Sequence, residues 1–589
     1  MLLRGLLVLL LGAGVPCLAL PSAGAKPAYR ISGVVLSKRT GSPVPFLRLD
    51  AKLGSSQASA NFDLQSPASR GMGVRGAMRH DGPQVGRTER GWENEVVADE
   101  HGRFRLELPS AGAWQLTAAG HGFHRQHFDE HEEYFSSIVL TEVRPTAEVT
   151  FRVDPDATIS GLVLDEAGEA VQGAQVWVEF ARTEGEEMRR ERRQAGGTQT
   201  DDRGRYEMPG LAPGSYVLKI QAQPWYAQRL GVAGGASRLD PPLDVVYETL
   251  WYPGAPDPRG AETIRLSGGE EREADFHLAA MPAAHLRLDP VGTPGQVIDG
   301  DVGSRARRSM ALTRLAPEGG FSQTTYGDYA DFGGLVPGIY RLEVRGADGR
   351  VEREVRQFRV LPGATGAVDL SSAAVLTQVK VSLDAAEKTP GSQVIFIDKS
   401  TGLSVTADGG NRVFGQGLKK RPGVDYLERN PRERAAYLAP GTYEVTLGGQ
   451  GPNYVTGLEA TGASVSGLLI TVGSSPASVT VKVASDKGQV SGVVKMGGNA
   501  VEGAMVLLVP ALLGQPGNVS GIERDQTNSD GSFRLEGVIP GEYILLAIDQ
   551  GWNVRWDDVQ TLARYLAHGV PLEVGAGSRL VRSIGAVVP

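Results

Sequence analysis

The stretch Thr200-Asp-Asp-Arg-Gly-Arg-Tyr-Glu-Met-Pro-Gly-Leu-Ala-Pro-Gly-Ser-Tyr-Val-Leu218 packs two strands and two turns into one short span. Gly204 permits the positive φ that a hairpin corner needs, and Asp202-Arg203 leads into it with turn chemistry. Tyr206 and Met208 then alternate with polar neighbours, the period-two mark of a half-buried strand. Leu211 is expected in a core ahead of Pro213-Gly214, with Gly214 taking the left-handed position of a type II turn. Tyr216 opens the next strand. Its ring is expected to be core and its hydroxyl to be held by backbone at the corner. The arrangement returns at Ser529-Asp-Gly-Ser-Phe533 with Val538-Ile-Pro-Gly-Glu-Tyr543, and in reduced form at Leu335–Tyr340 and Leu438–Tyr443. An early copy runs from Ala98-Asp-Glu-His-Gly-Arg-Phe104 to Ala111-Gly-Ala-Trp114, with tryptophan in place of tyrosine. Gly112, Gly214, Gly338, Gly441 and Gly541 therefore recur at intervals of about 100 to 125 residues, beyond the roughly 20–50 of a solenoid repeat. Each unit is long enough to close its own core. The chain is expected to be all-β, five sandwiches strung like beads, with little helix.

Taken in order, residues 1–25 read as a signal peptide and 26–152 as the first sandwich, interrupted by a polar, Gly-rich excursion from Gly54 to about Asn94. The second sandwich, 153–282, shows every strand and turn signal, with a charged insertion from Arg182 to Gly197. Units 283–373 and 374–485 keep the Pro-Gly-x-Tyr turn and lose the Ser-Gly of the first strand. The fifth, 486–589, restores it as Val490-Ser-Gly-Val-Val494, and Val559, Leu562, Ala563 and Leu566 near its end have the spacing of a short amphipathic helix on the sandwich edge.

Composition narrows the partners. With Lys+Arg 60 against Asp+Glu 68, the net charge of −8 is spread without a basic stripe, which argues against nucleic acid or an anionic membrane as the main partner. The lone cysteine, Cys17, lies in the leader, so the mature chain is expected to hold by packing without disulfides. No later segment has the roughly 18 apolar residues of a membrane span. The expected location is outside the cytoplasm: periplasm, outer surface or medium.

Four motifs recur together: Ile-Ser-Gly-x-Val (Ile159-Ser-Gly161, Val490-Ser-Gly492), Val-x-Gly-Ala-x-Val (Val171–Val176, Val501–Val506), Asp-x-x-Gly-x-Tyr/Phe and Leu-x-Pro-Gly-x-Tyr. Together they resemble the carboxypeptidase regulatory-like domains. That resemblance implies Greek-key sandwiches of the prealbumin (transthyretin) type, and it covers units two and five best, then unit one. The run from Gly122 through Gly161 also resembles tandem-domain exported proteins of soil bacteria. In metallocarboxypeptidases such a module accompanies a separate zinc hydrolase, and no stretch here is similar to that hydrolase. Fold alone leaves the task open. Pilin-type sandwiches with similar turns can carry internal Lys–Asn isopeptide bonds. Their first strand supplies the lysine, and Ile31–Gly33, Ile159–Gly161 and Val490–Gly492 offer none.

The chemistry-bearing residues cluster at His121, His124, His127 and His131. On a helix, His124, His127 and His131 would share one face, and His127-Phe-Asp-Glu-His131 formally spells the inverted zinc-peptidase motif with Glu130 as base. The motif lies between expected strands of a small sandwich and lacks a third ligand, so the favoured reading is a polar loop; no catalytic residue, metal site or cofactor is assigned. The Asp-x-x-Gly turns supply one or two carboxylates each, fewer than the oxygens a calcium loop needs. Trp225, Tyr226, Trp251 and Tyr252 form the other cluster, either a stacking platform for a sugar or a plug in the open end of the second sandwich. The expectation is a non-enzymatic exported envelope protein serving as scaffold, spacer or adhesion module, with envelope proteins or polysaccharide as partners. The alternative is a carbohydrate-binding protein using the aromatics, and the third reading a hydrolase at the histidines.

Overall fold

The computed structural model describes residues 29–54, 94–131, 134–181, 194–227, 245–288, 309–316, 322–326, 330–345, 355–364, 366–371, 373–385, 393–407, 434–448, 453–511, 521–554, 556 and 559–589. The expected leader, residues 1–25, and most of the polar and charged insertions lie outside them. The described chain is nearly all strand, with one α-helix, Val559–Leu566.

One plan repeats five times. An opening strand (Tyr29–Ser37, Ala157–Leu164, Ala284–Leu288, Thr377–Ala385, Gly488–Met496) pairs antiparallel with the strand that follows the Asp-Gly turn or its counterpart. Its other edge takes the closing strand in parallel: Thr146–Val153 in the first copy, Ala477–Ala484 in the fourth and Arg579–Val587 in the fifth. The facing sheet is built on a second strand (Arg48–Leu53, Gln175–Phe180, Ser309–Ala316, Gln393–Asp398, Met505–Pro510) paired antiparallel with the corner strand that begins at each Pro-Gly or its counterpart. Between the sheets sit five cores, centred on Leu116 and Phe151, Leu218 and Phe276, Leu312 and Phe332, Phe396 and Ile470, and Val506 and Leu545.

Two motifs that look separate in sequence are one structural unit. Gly33, Gly161 and Gly492 face Phe104, Tyr206 and Phe533 directly across the ladder. A Cβ on those glycines would lie 1.9, 2.2 and 1.7 Å from a backbone carbonyl oxygen of Val149, Ala274 and Arg582, respectively. The closing strand thus approaches so closely that no side chain fits, and the aromatic ring covers the gap on the antiparallel side.

At the corner, Gly214 and Gly541 begin extended strands, and the left-handed positions fall earlier, at Gly210 (φ 77) and Gly537 (φ 70); Gly441 also opens a strand, and the third copy has Gly334 (φ 71) before Gly338 (φ 158). This corrects the type II turn expected at Pro-Gly. Gly210 and Gly537 are the extra residues of β-bulges, marked by the register shifts at Met208/Leu211 and Gly488/Gln489, and the bulge turns Leu211 and Val538 inward. After the corner, Tyr216, Tyr340, Tyr443 and Tyr543 are buried, and each hydroxyl donates to the carbonyl four residues back: Ala212 (2.7 Å), Val336 (2.9 Å), Ala439 (2.7 Å) and Ile539 (2.6 Å). Trp114 does the same through its indole N–H, 3.2 Å from the Ser110 carbonyl.

The helix does not lie on a sandwich edge. It covers the outer face of the fifth unit's second sheet, where Leu562 packs with Met505, Leu507, Val509, Leu546 and Ile548. That explains why every residue of Met505–Pro510 is buried.

Two stability outcomes are expected in urea unfolding. Tyr216→Ala should cost about 3–5 kcal/mol in the transition of the second sandwich, as for large aromatic truncations in a core. Gly492→Ala should cost the fifth sandwich about 1–3 kcal/mol through overpacking against the Arg582 carbonyl. A cost near zero for either would show the ring or the close approach to be dispensable.

Candidate functional site

The middle of the histidine segment is a strand rather than a helix, with His121 in the turn before it and His131 beyond it in an isolated bridge. Phe123–His127 pairs with the corner strand Gly112–Gly120 at the edge of the first unit's second sheet. Period-two alternation therefore puts His124 and Gln126 on one face and His127 on the other. Spacing that would gather ligands on a helix separates them on a strand.

Three of the four histidines have a structural task. His124 Nδ1 lies 2.9 Å from Asp156 Oδ1, and its backbone N–H donates to the same carboxylate. Gln126 donates to the Asp154 carbonyl and accepts from the Asp154 N–H, both at 2.7 Å. Together they clamp the Asp154-Pro155-Asp156 connection to the second sandwich. His127 is stacked on Phe135 with ring centroids 4.1 Å apart. Burial, then the charge of Arg125, pushes its pKa down to about 4. Its backbone N–H donates to Glu130, 2.5 Å away, whose carboxyl burial pushes up to about 7. His131 pairs with Tyr134 as an isolated bridge, stacks on Trp552 at 5.5 Å and places Nδ1 3.2 Å from Gln526 Oε1. His121 is exposed. Among the described residues no group of three or more His, Cys, Asp or Glu is arranged to hold a metal ion.

His131 leads to a feature that a string of beads does not contain: the first and fifth sandwiches pack on each other. The side-chain amide of Gln526 donates to the Asp129 carbonyl at 2.5 Å and to Ser136 Oγ at 2.9 Å. Ser136 Oγ in turn donates to the Thr527 carbonyl (2.8 Å). The Ser137 and Val139 N–H groups donate to Asn528 Oδ1 (2.9 Å) and Ser529 Oγ (2.8 Å), and the Ser529 N–H reaches the Ser137 carbonyl at 3.0 Å. Ser136, Ser137, Gln526 and Thr527 are fully or almost fully buried. Beside this seam the Arg524 guanidinium lies 3.8 Å from the Trp556 ring centroid and 4.9 Å from that of Tyr134, a cation held among aromatic faces. Asp525, buried beneath it, accepts the Arg534 N–H at 2.7 Å, and burial pushes its pKa up to about 7.

None of Gln526, Asn528, Trp552 or Arg524 was singled out in the sequence. The uninterrupted apolar run Met505–Val509 signals only the cover over the fifth unit's second sheet, where Trp552 packs, and the polar residues leave no such mark.

The aromatic cluster divides. Trp251 is 1% exposed and lies under Lys219, 5.6 Å from its ring centroid. Half-buried Tyr252 packs edge-on against Phe276 at 5.8 Å, against the core. The structure therefore separates the four rings, with Trp251 buried, Tyr252 half-buried and Trp225 on the surface. Trp225, 87% exposed, stands T-shaped to Tyr226 at 5.6 Å. The Tyr226 hydroxyl donates to Glu166, whose pKa that bond lowers.

Between the second and third sandwiches opens a cleft of about 430 Å³, with Gln175, Gln221, Tyr247 and Thr249 on one wall and Arg314 and Val336 on the other. Arg314 is 1% exposed; its guanidinium donates to Glu248 at 2.9 Å and to the Pro337 carbonyl at 2.6 Å, which ties the two sandwiches together. The Asp-x-x-Gly carboxylates are engaged locally. Asp201 accepts the N–H groups of Arg203 (2.9 Å) and Arg205 (2.8 Å), and these bonds, Arg205 first, hold its pKa below the usual value.

Residues 158–244 match the carboxypeptidase regulatory-like domain family. Comparison with curated protein sequences gives no match. Among solved structures, the minor pilin GBS52 of Streptococcus agalactiae aligns at 10% identity over 43% of this chain and 97% of its own, with a TM-score of 0.21. A streptococcal ancillary pilin aligns at 10% identity over 58% and 98%, TM-score 0.19. The shaft pilin SpaA of Lactobacillus rhamnosus GG aligns at 7% identity over 43% and 98%, TM-score 0.17. TM-scores of this size carry no functional argument.

The buried carboxyls make the structure pH-sensitive in a defined direction. Glu130 and Asp525 have pKa values raised on folding, so their contribution is fully present below their ordinary values and is lost as pH rises through about 7. His127, with its pKa lowered, acts oppositely: its contribution is present above 6.5 and is lost as pH falls through about 4. Relative to the parent, Glu130→Gln with Asp525→Asn should therefore gain melting temperature between about pH 5 and pH 8. An unchanged difference across that range would show that neither carboxyl is held neutral.

Proposed function

We propose that this chain is a non-enzymatic exported scaffold of the cell envelope, a spacer or adhesion module whose sandwiches are locked to one another. The observation that carries this reading is the use of the histidine segment. Its imidazoles, amides and hydroxyls bind the connection to the second sandwich and the face of the fifth. Buried hydrogen-bonded networks of this kind fix one relative orientation, because leaving any member unpaired is costly. A scaffold needs that fixed orientation; a hydrolase at the same residues would need open coordination and exchangeable water. Among the described residues no helix is long and apolar enough to cross a membrane. Envelope proteins or polysaccharide are the partners proposed.

Fractionation of cells making an epitope-tagged chain, followed by crosslinking in intact cells and pull-down, tests the reading. The expected result is recovery in the envelope or medium with envelope components attached. Peptidase turnover that disappears in His127→Ala would make the protein an enzyme and sink the proposal. For the locked arrangement itself, Gln526→Ala should raise hydrogen exchange at the Ser137 and Val139 amides by about tenfold or more, since local opening reports the lost junction. Equal protection in parent and variant would mean that the junction does not depend on Gln526.

A further inference from the structure

We infer that the cleft between the second and third sandwiches is a binding site for a neutral, polyhydroxylated ligand, a short oligosaccharide. The argument starts from its lining. Gln172, Gln175, Gln221 and Gln223 bring four side-chain amides to one opening, and Thr249 adds a hydroxyl. An amide donates through nitrogen and accepts through oxygen, the pairing that vicinal hydroxyls of a sugar ring present. The Gln221 amide donates to Thr249 Oγ1 at 3.1 Å, which holds it against the wall.

Charge selects further. Among the described residues the one guanidinium in the lining belongs to Arg314, and Glu248 neutralises it at 2.9 Å. A phosphate or carboxylate ligand would have to compete with that buried pair; an uncharged polyol does not. Val246, Tyr247 and Val336 supply an apolar strip to meet the C–H face of a ring. The volume of about 430 Å³ falls in the roughly 300–1,000 Å³ range of small-ligand sites.

A peptide is the competing occupant, and the sheet disfavours it. Strand addition needs a free edge. The wall strand Gln175–Phe180 is paired on both sides, with Gln194–Gln199 and with Gly214–Gln221. Two residues beyond Gln223, the exposed Trp225 offers a ring on the same stretch of chain. The site therefore differs from the four-aromatic platform: amides of the cleft carry recognition, and Trp225 is an accessory at most.

The test is calorimetric titration of the full-length mature protein with neutral tetrasaccharides of the gluco-, xylo-, manno- and chito- series. Binding of at least one series is expected. The exposed pair Gln172→Ala with Gln223→Ala should weaken it about tenfold through two lost hydrogen bonds, with the melting temperature unchanged. Gln221→Ala, read in the same way, covers the inner wall. No binding by any series, binding that survives all three substitutions, or binding abolished by Trp225→Ala alone would each overturn the assignment. Retained scaffold behaviour in any of these cases would leave the proposed structural role standing, so the two readings fail separately.

Discussion

The aromatic ring at the head of each corner strand is the contact on which the rest of every sandwich depends. It supplies core volume where the two sheets begin to diverge, and its polar end donates to the carbonyl four residues earlier in the chain. One side chain thus settles two problems at once: an apolar gap and an orphaned backbone acceptor. Trp114 in the first unit shows that geometry rather than residue type is the requirement, because an indole N–H performs the same bond. In the third and fourth units the Ser-Gly strand is gone, yet the ring and its bond remain. The corner is the part of the pattern that every copy retains.

The second constraint is the close approach of the closing strand. Gly33, Gly161 and Gly492 leave room for a carbonyl oxygen that any larger residue would strike. The Tyr206 hydroxyl donates to the Ala274 carbonyl, the one that crowds Gly161. The turn glycines add a third tie, because the N–H groups of Val35, Val163 and Val494 donate to the carbonyls of Gly102, Gly204 and Gly531, each at 2.8 Å. A few glycines and one aromatic per copy are enough to fix the register of three strands.

This distribution explains what was legible in the sequence. Fold class and repeat were readable because turns and alternation are local, and they write themselves into Asp-x-x-Gly, Pro-Gly and period-two runs. The bulge at Gly210 was misassigned to Gly214 because both glycines follow a proline, and only the register shows which one takes the positive φ. The histidines misled in a different way. Helical spacing would bring them together, whereas the strand Phe123–His127 puts His124 and His127 on opposite faces. The junction of the first and fifth sandwiches was invisible, because Ser136 and Gln526 lie nearly four hundred residues apart and carry no periodic mark. Long-range polar contacts leave no local pattern, whereas the covering of both faces of Met505–Pro510 did leave one.

The make-up of that junction has a physical logic of its own. An apolar seam between two sandwiches would tolerate sliding, since hydrophobic contact is non-directional. The seam here is instead built from Ser136, Ser137, Gln526 and Asn528, whose bonds hold only at one relative placement. Each such bond adds about 0.5–1.5 kcal/mol net, while leaving a buried partner unmade costs about 1–3 kcal/mol. The asymmetry means that small displacements are penalised more than the assembled state is rewarded. Arg524 among Tyr134, Trp552 and Trp556 contributes the less directional part of the attraction. Orientation is therefore set by the polar bonds and adhesion by the aromatic ring faces around the arginine, and of the clustered histidines only His131 takes part, through Gln526 and Trp552.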